Sequence, residues 1–226
     1  MQLLYHCVRG QNMADYKKAQ TDLAECLSVC ILQDLGINAQ RNNLTNITNV
    51  DILVDNQVKI DVQYSNNFAL YGDLRVDFVS AYSKEGQQGK SFYSNQHIPK
   101  SFECKFKEFE SNNGFKINKV GKYFQPDYLD AVIILFYDGT LNLKQNPDKI
   151  MIIKNDELLN YLNKNIEQCF KNLKINSKKN LGDTHGSAFL PINAKVLKSN
   201  TECFFDTIDN LKKVKSEIKA YLTNFN

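Results

Sequence analysis

Two aspartates, Asp51 and Asp61, lie in a stretch whose pattern predicts a β-hairpin. Residues 50–63 form two apolar-alternating runs separated by the turn-favouring residues 55–57. Side chains alternate between the faces of a strand, so pairing Val54 with Val58 would place Asp51 opposite Asp61. One face would then hold β-branched residues suited to a core: Val50, Ile52, Val54, Val58, Ile60 and Val62. The other would hold Asp51, Leu53, Lys59, Asp61 and Gln63.

Opposed aspartates at this position indicate a metal site. Directly paired residues of antiparallel strands have Cβ atoms roughly 5 Å apart, and two carboxylates at that distance repel each other unless a cation lies between them. Oxygen ligands of this kind suit Mg²⁺. The alternative is an ordinary amphipathic hairpin with a solvated polar face. On the metal hypothesis, removing Asp61 is expected to leave the fold intact or slightly more stable.

Composition narrows the class of protein. A chain of 226 residues predicts a single domain over residues 1–226, and a net charge of +3 is too small to indicate nucleic-acid binding by itself. The six cysteines form no Cys-x-x-Cys pair, which argues against zinc. Cys26 and Cys30 lie in an apolar helical pattern and are expected to be buried. Without a membrane-length apolar run or a signal-peptide pattern, we expect an intracellular, cytoplasmic protein with no membrane partner.

Periodicity predicts an alternation of helices and strands. A helix is expected over residues 15–35, ended by Gly36, and a strand over 37–43 before the hairpin. Further strands are expected at 74–82, 101–110, 128–137 and 149–154, helices at 155–173 and 207–222, a polar loop at 174–187 and an extended segment at 189–197. The core would span about 15–140, with an insertion at 83–122 and a C-terminal elaboration at 146–226.

The insertion is rich in lysine and aromatic residues. This combination is typical of surfaces that contact phosphates and stack on bases. The candidate nucleic-acid contacts are Lys84, Lys90, Lys100, Lys105 and Lys107. The alternative is a lysine-coated surface that covers the aromatic residues of a strand.

The order of these motifs resembles the PD-(D/E)xK, or restriction-endonuclease-like, nuclease superfamily. There, a first acid opens the second strand and an acid-x-Lys follows on the third. Asp51 would take the first place, with Val50 where Pro is usual, and Asp61-Val62-Gln63 the second, with Gln63 in place of Lys. Glu25 lies on the preceding helix, where many members carry a glutamate. Residues 72–77, with Gly121 and Asp127 or Asp130, are similar to the glycine-and-acid pattern of small phage-type nucleases.

The resemblance implies an α/β fold with a restriction-endonuclease-like core: a helix, an antiparallel β-meander, further mixed strands and flanking helices. It implies a Mg²⁺- or Mn²⁺-dependent endonuclease that hydrolyses DNA. Asp51, Asp61 and the Val62 carbonyl would hold the metal. Glu25 would orient a metal-bound water or a second ion, and Gln63 would position the attacking water. Lys59 could reach the site along the strand, although its position on the polar face favours an ordinary solvated strand lysine. Without the resemblance, Glu25 is a surface helix acid.

The sequence also allows other interpretations. Glu103-Cys104-Lys105 is a rival acid-x-Lys motif, with Asp77 as its first acid. The chain could instead be a catalytically inactive nuclease-fold protein that binds nucleic acid or a protein, or that serves as a virion or structural component. DNA is the expected partner, RNA is not excluded, and a homodimer is left open. If the chain is phage-encoded, it would act in the host cytoplasm.

Overall fold

The computed structural model describes residues 13–42, 50–65, 72–83, 98, 100–125, 128–138, 145–180 and 183–224. The helices are α1 (Met13–Asp34), α2 (Lys100–Asn113), α3 (Asn155–Lys164), α4 (Ile166–Phe170), α5 (Ala194–Asn200), α6 (Ile208–Lys213) and α7 (Lys215–Thr223), with a 3₁₀ turn at Lys122–Phe124. The strands are β1 (Ala39–Arg41), β2 (Ile52–Val54), β3 (Val58–Ser65), β4 (Asp73–Ser83), β5 (Lys116–Val120), β6 (Ala131–Phe136), β7 (Lys149–Lys154), β8 (Lys174–Asn180), β9 (Asp183–Asn193) and β10 (Cys203–Asp206).

The strands form two sheets, so the protein has a mixed α/β fold. The larger sheet has the order β1-β2-β3-β6-β7-β10. Its strands pair antiparallel except β3 and β6, which are parallel. The smaller sheet, β5-β4-β9-β8, is antiparallel. Because β3 and β6 are parallel, the chain between them must cross from one end of the sheet to the other, and β4, α2 and β5 lie in that connection.

The larger sheet lies between two apolar layers. Alternate residues of β6 point to opposite faces, and all of β6 is buried. One face packs with α1, α6 and α7, and the other packs with the smaller sheet and helices α2 to α5. A continuous apolar run such as β6 is what a strand covered on both faces requires.

The predicted hairpin and its register are confirmed. Val54 pairs with Val58 and Ile52 with Ile60. Asp55 and Asn56 form the turn with φ angles of 49° and 60°, a conformation that Asp and Asn tolerate better than most residues. Of the six apolar residues predicted to face the core, five are buried and Val62 is half-buried.

The predicted strand at 101–110 is wrong, because these residues lie in α2. Phe102, Phe106 and Phe109 are buried at spacings of four and three, which is the period of a helix face. Gly114 follows the helix with a φ of 65°, and its N–H donates to the Glu110 carbonyl. The alternation of charged and apolar residues in this segment is compatible with both a strand and a helix. The spacing of the phenylalanines distinguishes the two structures.

Other differences lie in the C-terminal part. The predicted polar loop at 174–187 is instead mostly a hairpin of β8 and β9, in which Gly186 faces Ser177. Each of the two predicted long helices is interrupted, at Asn165 and at Val214. The extended segment ends at Asn193, whose side chain caps α5, and β10 was not predicted. Helix α1 and the strands β6 and β7 lie close to their predicted positions.

The expected burial of Cys26 and Cys30 is also wrong, since both side chains are exposed. The buried face of α1 passes instead through Ala24, Ser28 and Ile31. No helix in the described part of the chain has both the length and the apolar character needed to cross a membrane.

Candidate active site

Asp51 and Asp61 come together at the open end of the hairpin. Asp51 directly precedes β2, and Asp61 follows Ile60, the last residue of β3 that pairs with β2. Asp51 Oδ2 accepts the Val62 N–H at 2.7 Å, and the Asp51 carboxyl lies close enough to Asp61 to feel its charge. Asp61 is only 2% exposed. The hairpin register therefore holds two acids side by side in a largely buried position.

This proximity changes the protonation of Asp51. Burial raises the pKa of the Asp51 carboxyl to about 7, and the charge of Asp61 contributes to the increase. The Val62 N–H and the Lys122 ammonium act in the opposite direction but are too weak to cancel it. Near neutral pH the pair therefore carries less negative charge than two ordinary aspartates.

Lys122 is the cation of this site, and sequence reasoning missed it. It is the first residue of the 3₁₀ turn after β5, and its ammonium donates to Asp61 Oδ1. Burial alone would lower the pKa of Lys122, but the charges of Asp61 and Asp51 raise it above its ordinary value. Lys122 thus stays charged and neutralises one of the two acids.

Tyr123 and Gln63 complete the cluster. The Tyr123 hydroxyl donates to Asp61 Oδ2 at 3.2 Å, and burial raises the pKa of that phenol well above its usual range. Gln63 Nε2 donates to the Tyr123 hydroxyl and to the Arg75 carbonyl, the latter at 3.1 Å. Gln63, which the sequence resemblance would place at the position of the motif lysine, is therefore oriented by two partners beside the acids.

A close backbone approach positions Lys122 and Tyr123. The Gly121 N–H donates to the Phe78 carbonyl at 2.8 Å. A Cβ atom on Gly121 would lie 1.6 Å from the Asp77 carbonyl oxygen, so only glycine fits here. This contact holds the 3₁₀ turn against β4 and directs Lys122 toward β3. The glycine was noticed in the sequence, but the lysine after it could not be connected to Asp61, 61 residues earlier.

Asp77 adds a third acid near Lys122. Burial raises the pKa of its carboxyl, and a hydrogen bond from Ser80 and the charges of Lys122 and Lys119 partly offset that rise. The rival motif that used Asp77 as its first acid does not form a comparable pair. Glu103 and Lys105 lie two residues apart on α2, where side chains do not face each other. Glu103 pairs instead with Lys107 at 2.6 Å.

Glu25 lies near the cluster but is held by Arg41. Arg41 Nε donates to Glu25 Oε2 at 2.9 Å, and Arg41 Nη2 also binds Asp22 at 2.7 Å. Burial raises the pKa of Glu25 despite this bond, and the charge of Asp51 adds to the rise. The glutamate is thus electrostatically coupled to the acid pair.

The remaining predicted residues are distributed more widely. Lys59 lies opposite Leu53, and its backbone N–H donates to Asp130 Oδ2, which ties β3 to the start of β6. Asp127 is outside the described residues. Lys100 is exposed at the start of α2, whereas Lys105 pairs with Glu108 and Glu167. Lys84 and Lys90 also lie outside the described residues.

The donor set at the acid pair fits a hard divalent cation. Among the described residues, no group of three or more His, Cys, Asp and Glu side chains is placed to hold a metal ion. The site instead offers two carboxylates and a backbone carbonyl. The Val62 N–H donates to Asp51. In a strand, the N–H and the carbonyl of one residue point toward the same side, so the Val62 carbonyl also points toward the side of β3 on which Asp51 lies. Oxygen-only ligands suit Mg²⁺, and a divalent cation would relieve the repulsion that raises the pKa of Asp51.

Comparison with known proteins gives no assignment. No protein-family model, no curated protein and no solved structure matches the chain. Function must therefore be inferred from the residues of the cluster and from the elements that position them.

Proposed function

We propose that this protein is a metal-dependent endonuclease that hydrolyses DNA phosphodiester bonds. The observation that carries the proposal is the pair of half-buried Asp51 and buried Asp61, with Lys122 on Asp61 and Gln63 beside it. A pair of adjacent acids, one of them with a raised pKa, a charged amine and an oriented amide are the components that phosphodiester hydrolysis needs.

The order of elements supports a restriction-endonuclease-like core. Helix α1 precedes an antiparallel meander of β1, β2 and β3, and β6 then joins parallel to β3. The first acid stands immediately before β2, the second lies within β3, and Glu25 lies on α1. These are the positions that the resemblance to the PD-(D/E)xK nucleases requires.

Asp51, Asp61 and the Val62 carbonyl would hold a Mg²⁺ or Mn²⁺ ion. Such an ion supplies Lewis acidity and lowers the pKa of a bound water. Gln63 has a neutral amide, which can orient a water by hydrogen bonding but cannot neutralise phosphate charge. Lys122 provides the positive charge that Gln63 lacks, so we assign it the role of the motif lysine, stabilising the charge that develops on the phosphate. Glu25 would orient a water from the α1 side of the site.

The partner in this proposal is DNA, and the site of action is the cytoplasm. The lysines of α2 contribute less to DNA binding than their number suggests, because Lys105 and Lys107 are paired with glutamates. Lys100 remains an exposed candidate contact.

A second function is favoured by one observation. Asp61 Oδ1 and Oδ2 already accept hydrogen bonds from Lys122 and Tyr123, and Asp51 Oδ2 accepts one from Val62. The carboxylate oxygens of the cluster thus already have hydrogen-bond donors from the protein itself. A catalytically inactive relative that binds nucleic acid would retain such a cluster as a structural ion pair.

Single-turnover cleavage of labelled single-stranded and duplex DNA separates the two functions. The wild type should cut with Mg²⁺ or Mn²⁺ and not in EDTA. Asp61→Asn and Lys122→Met should each reduce the rate by roughly 10²-fold or more, on the scale of removing one transition-state donor. Lys107→Met, which removes a lysine from the surface of α2, is the matched control and should cut at the wild-type rate. If no protein cuts any substrate with either metal while DNA binding persists, the inactive binder is the correct function.

A further inference from the structure

A cavity of about 340 Å³ lies beside the acid pair, where the end of β3 faces the start of β4. Gln63, Ser65, Asp73 and Arg75 line it. Gln63 connects the cavity to the cluster, because its amide donates to the Tyr123 hydroxyl, which in turn donates to Asp61. A group bound in this cavity would therefore lie next to a phosphate at the acids.

Strand alternation explains why polar side chains meet there. On β4, Leu74, Val76 and Phe78 are buried in the core, so Asp73, Arg75 and Asp77 belong to the opposite face. The residues that line the cavity thus include a carboxylate, a guanidinium, an amide and a hydroxyl. Mixed donors and acceptors in a small space suit a ligand whose edge carries both types of group.

The edge of β3 supplies further hydrogen-bonding groups. In the described residues, pairing of β3 with β2 stops at Ile60, so the following residues of β3 have β6 on one side only. The Val62 N–H turns toward Asp51, and alternation turns the N–H and carbonyl of Tyr64 in the same direction. Tyr64 also lines the cavity.

Arg75 provides a flat surface at the cavity. Its guanidinium carbon lies 5.1 Å from the centre of the Phe189 ring, and its side chain is exposed. A planar guanidinium held over an aromatic ring presents its other face to solvent. Nucleobases stack on such arginine planes.

We infer that this cavity receives one unstacked nucleobase of the substrate, adjacent to the phosphate that is cut. The inference rests on the proposed nuclease function and deepens it by naming the substrate class. The base would stack on Arg75 and direct its polar edge to Gln63, Asp73 and the edge of β3. The volume is at the lower end of the range for small-molecule pockets, about 300–1,000 Å³, which suits one base better than a base pair. A base can enter only when it is unpaired, so the substrate is single-stranded, frayed or mismatched DNA.

The test measures binding without cleavage. The Asp51→Asn protein is titrated by fluorescence anisotropy against a labelled single-stranded oligonucleotide and against a series in which one base at a time is removed. Removing the base that occupies the cavity should weaken binding about 10-fold, within the range of one stacking contact. Removal at other positions should have little effect.

Arg75→Lys, made in the same background, separates stacking from charge. Lysine keeps the positive charge but lacks the planar surface, so the position-specific effect of base removal should disappear while the salt dependence stays unchanged. Lys100→Ala is the control, because losing an exposed charge elsewhere should weaken binding equally for intact and abasic strands.

Three results would overturn the inference: equal affinity for all abasic strands, an undiminished position effect in Arg75→Lys, or no binding of any strand. Cleavage by the wild type together with equal affinity for all strands would remove the base pocket and leave the nuclease. A position-specific effect without cleavage by the wild type would remove the nuclease and leave the pocket.

Discussion

Two pairs of lysine and acid, in different regions of the molecule, show how burial changes the role of the same chemical groups. Lys122 and Asp61 meet between the two sheets, where the Asp61 side chain is 2% exposed. Lys107 and Glu103 meet on the outer surface of α2, where their side chains are 62% and 33% exposed. Water and salt screen the second pair, but they reach the first only through the partly exposed lysine.

The two regions also differ in charge balance. On α2, three lysines accompany three glutamates, so the helix has no net charge. At the buried cluster, Lys122 faces Asp61 and also Asp51, and the excess acid raises the pKa of Asp51 to about 7. Such perturbation is typical of sites where protons or cations are handled. The number of lysines in a segment is therefore a weaker guide to function than the position of one lysine.

The largest effect is expected for Lys122→Met. It leaves the Asp61 carboxylate buried without its cation, which should lower the free energy of unfolding by roughly 3 kcal/mol and also abolish cleavage. Urea denaturation monitored by circular dichroism measures the change.

A double variant makes this prediction sharper. In Asp61→Asn combined with Lys122→Met, neither charge remains, and most of the lost stability should return. Cleavage should remain absent in the double variant. If Lys122→Met has wild-type stability, the pair at the cluster is screened as effectively as the pair on α2, and the contrast between the two regions disappears.

A somewhat smaller effect is expected for Gly121→Ala. Its Cβ would overlap the Asp77 carbonyl oxygen, so the 3₁₀ turn or β4 must move, at a cost of about 2–3 kcal/mol. The displacement should also carry Lys122 away from Asp61 and reduce cleavage.

Gly114→Ala is the matched control for that change. Gly114 has a φ of 65° but open space around its Cα, so alanine there should cost only about 1 kcal/mol through backbone strain and leave cleavage intact. Thermal denaturation and single-turnover kinetics of both variants test the prediction. Equal losses of cleavage would mean that Gly121 has no special role in positioning Lys122.

Local patterns were enough to predict the hairpin but not the cluster. The register depends on alternation over a few residues, and Val54 and Val58 pair as that alternation requires. Lys122 reaches Asp61 through a long-range contact between Gly121 and β4, which leaves no periodic trace in the sequence. A glycine followed by a lysine and a tyrosine, at the end of the lysine- and aromatic-rich insertion, was the available signal.

Two errors had a different physical origin. The α2 segment alternates closely enough to resemble a strand, and only the spacing of Phe102, Phe106 and Phe109 indicates its helical face. Strand β8 is rich in Lys and Asn, and this polar composition predicted a loop. The structure places β8 at the edge of the smaller sheet, where a strand needs few apolar residues. In both segments the tertiary position decided the structure more than local composition did.

An intermediate effect, dependent on pH, is expected for Asp51→Asn. A pKa raised above the ordinary 3.8 means that folding favours the protonated carboxyl, so its contribution to stability is full below about pH 4 and is lost as pH rises through about 7. In EDTA at pH 8, Asp51→Asn should therefore be more stable than the wild type by about 2 kcal/mol, and the difference should vanish near pH 4.

The same pair of proteins reports on metal binding. Added Mg²⁺ should stabilise the wild type and not Asp51→Asn, since the variant lacks one ligand charge. From the sequence, removing Asp61 was expected to relieve the repulsion between the two carboxylates. In the structure, Asp61 also accepts hydrogen bonds from Lys122 and Tyr123, so its removal would break those contacts as well. Asp51 is therefore the better position at which to measure the loss of repulsion. A wild type that is more stable than Asp51→Asn in EDTA at pH 8 would contradict the prediction.

The smallest effect is expected for the surface pair on α2. Lys107 is exposed, and its bond to Glu103 joins positions four apart on a helix, where salt and water reduce the gain from pairing. Neither Lys107→Met nor Glu103→Gln should shift the urea midpoint measurably in physiological salt, and cleavage should stay at the wild-type rate.

The change in the free energy of unfolding of the double variant Glu103→Gln with Lys107→Met should equal the sum of the single changes, whereas the double variant at Lys122 and Asp61 should depart far from additivity. A coupling between Lys107 and Glu103 as large as that between Lys122 and Asp61 would mean that burial does not distinguish the two regions. It would also contradict the proposal of an active site at Lys122 and Asp61.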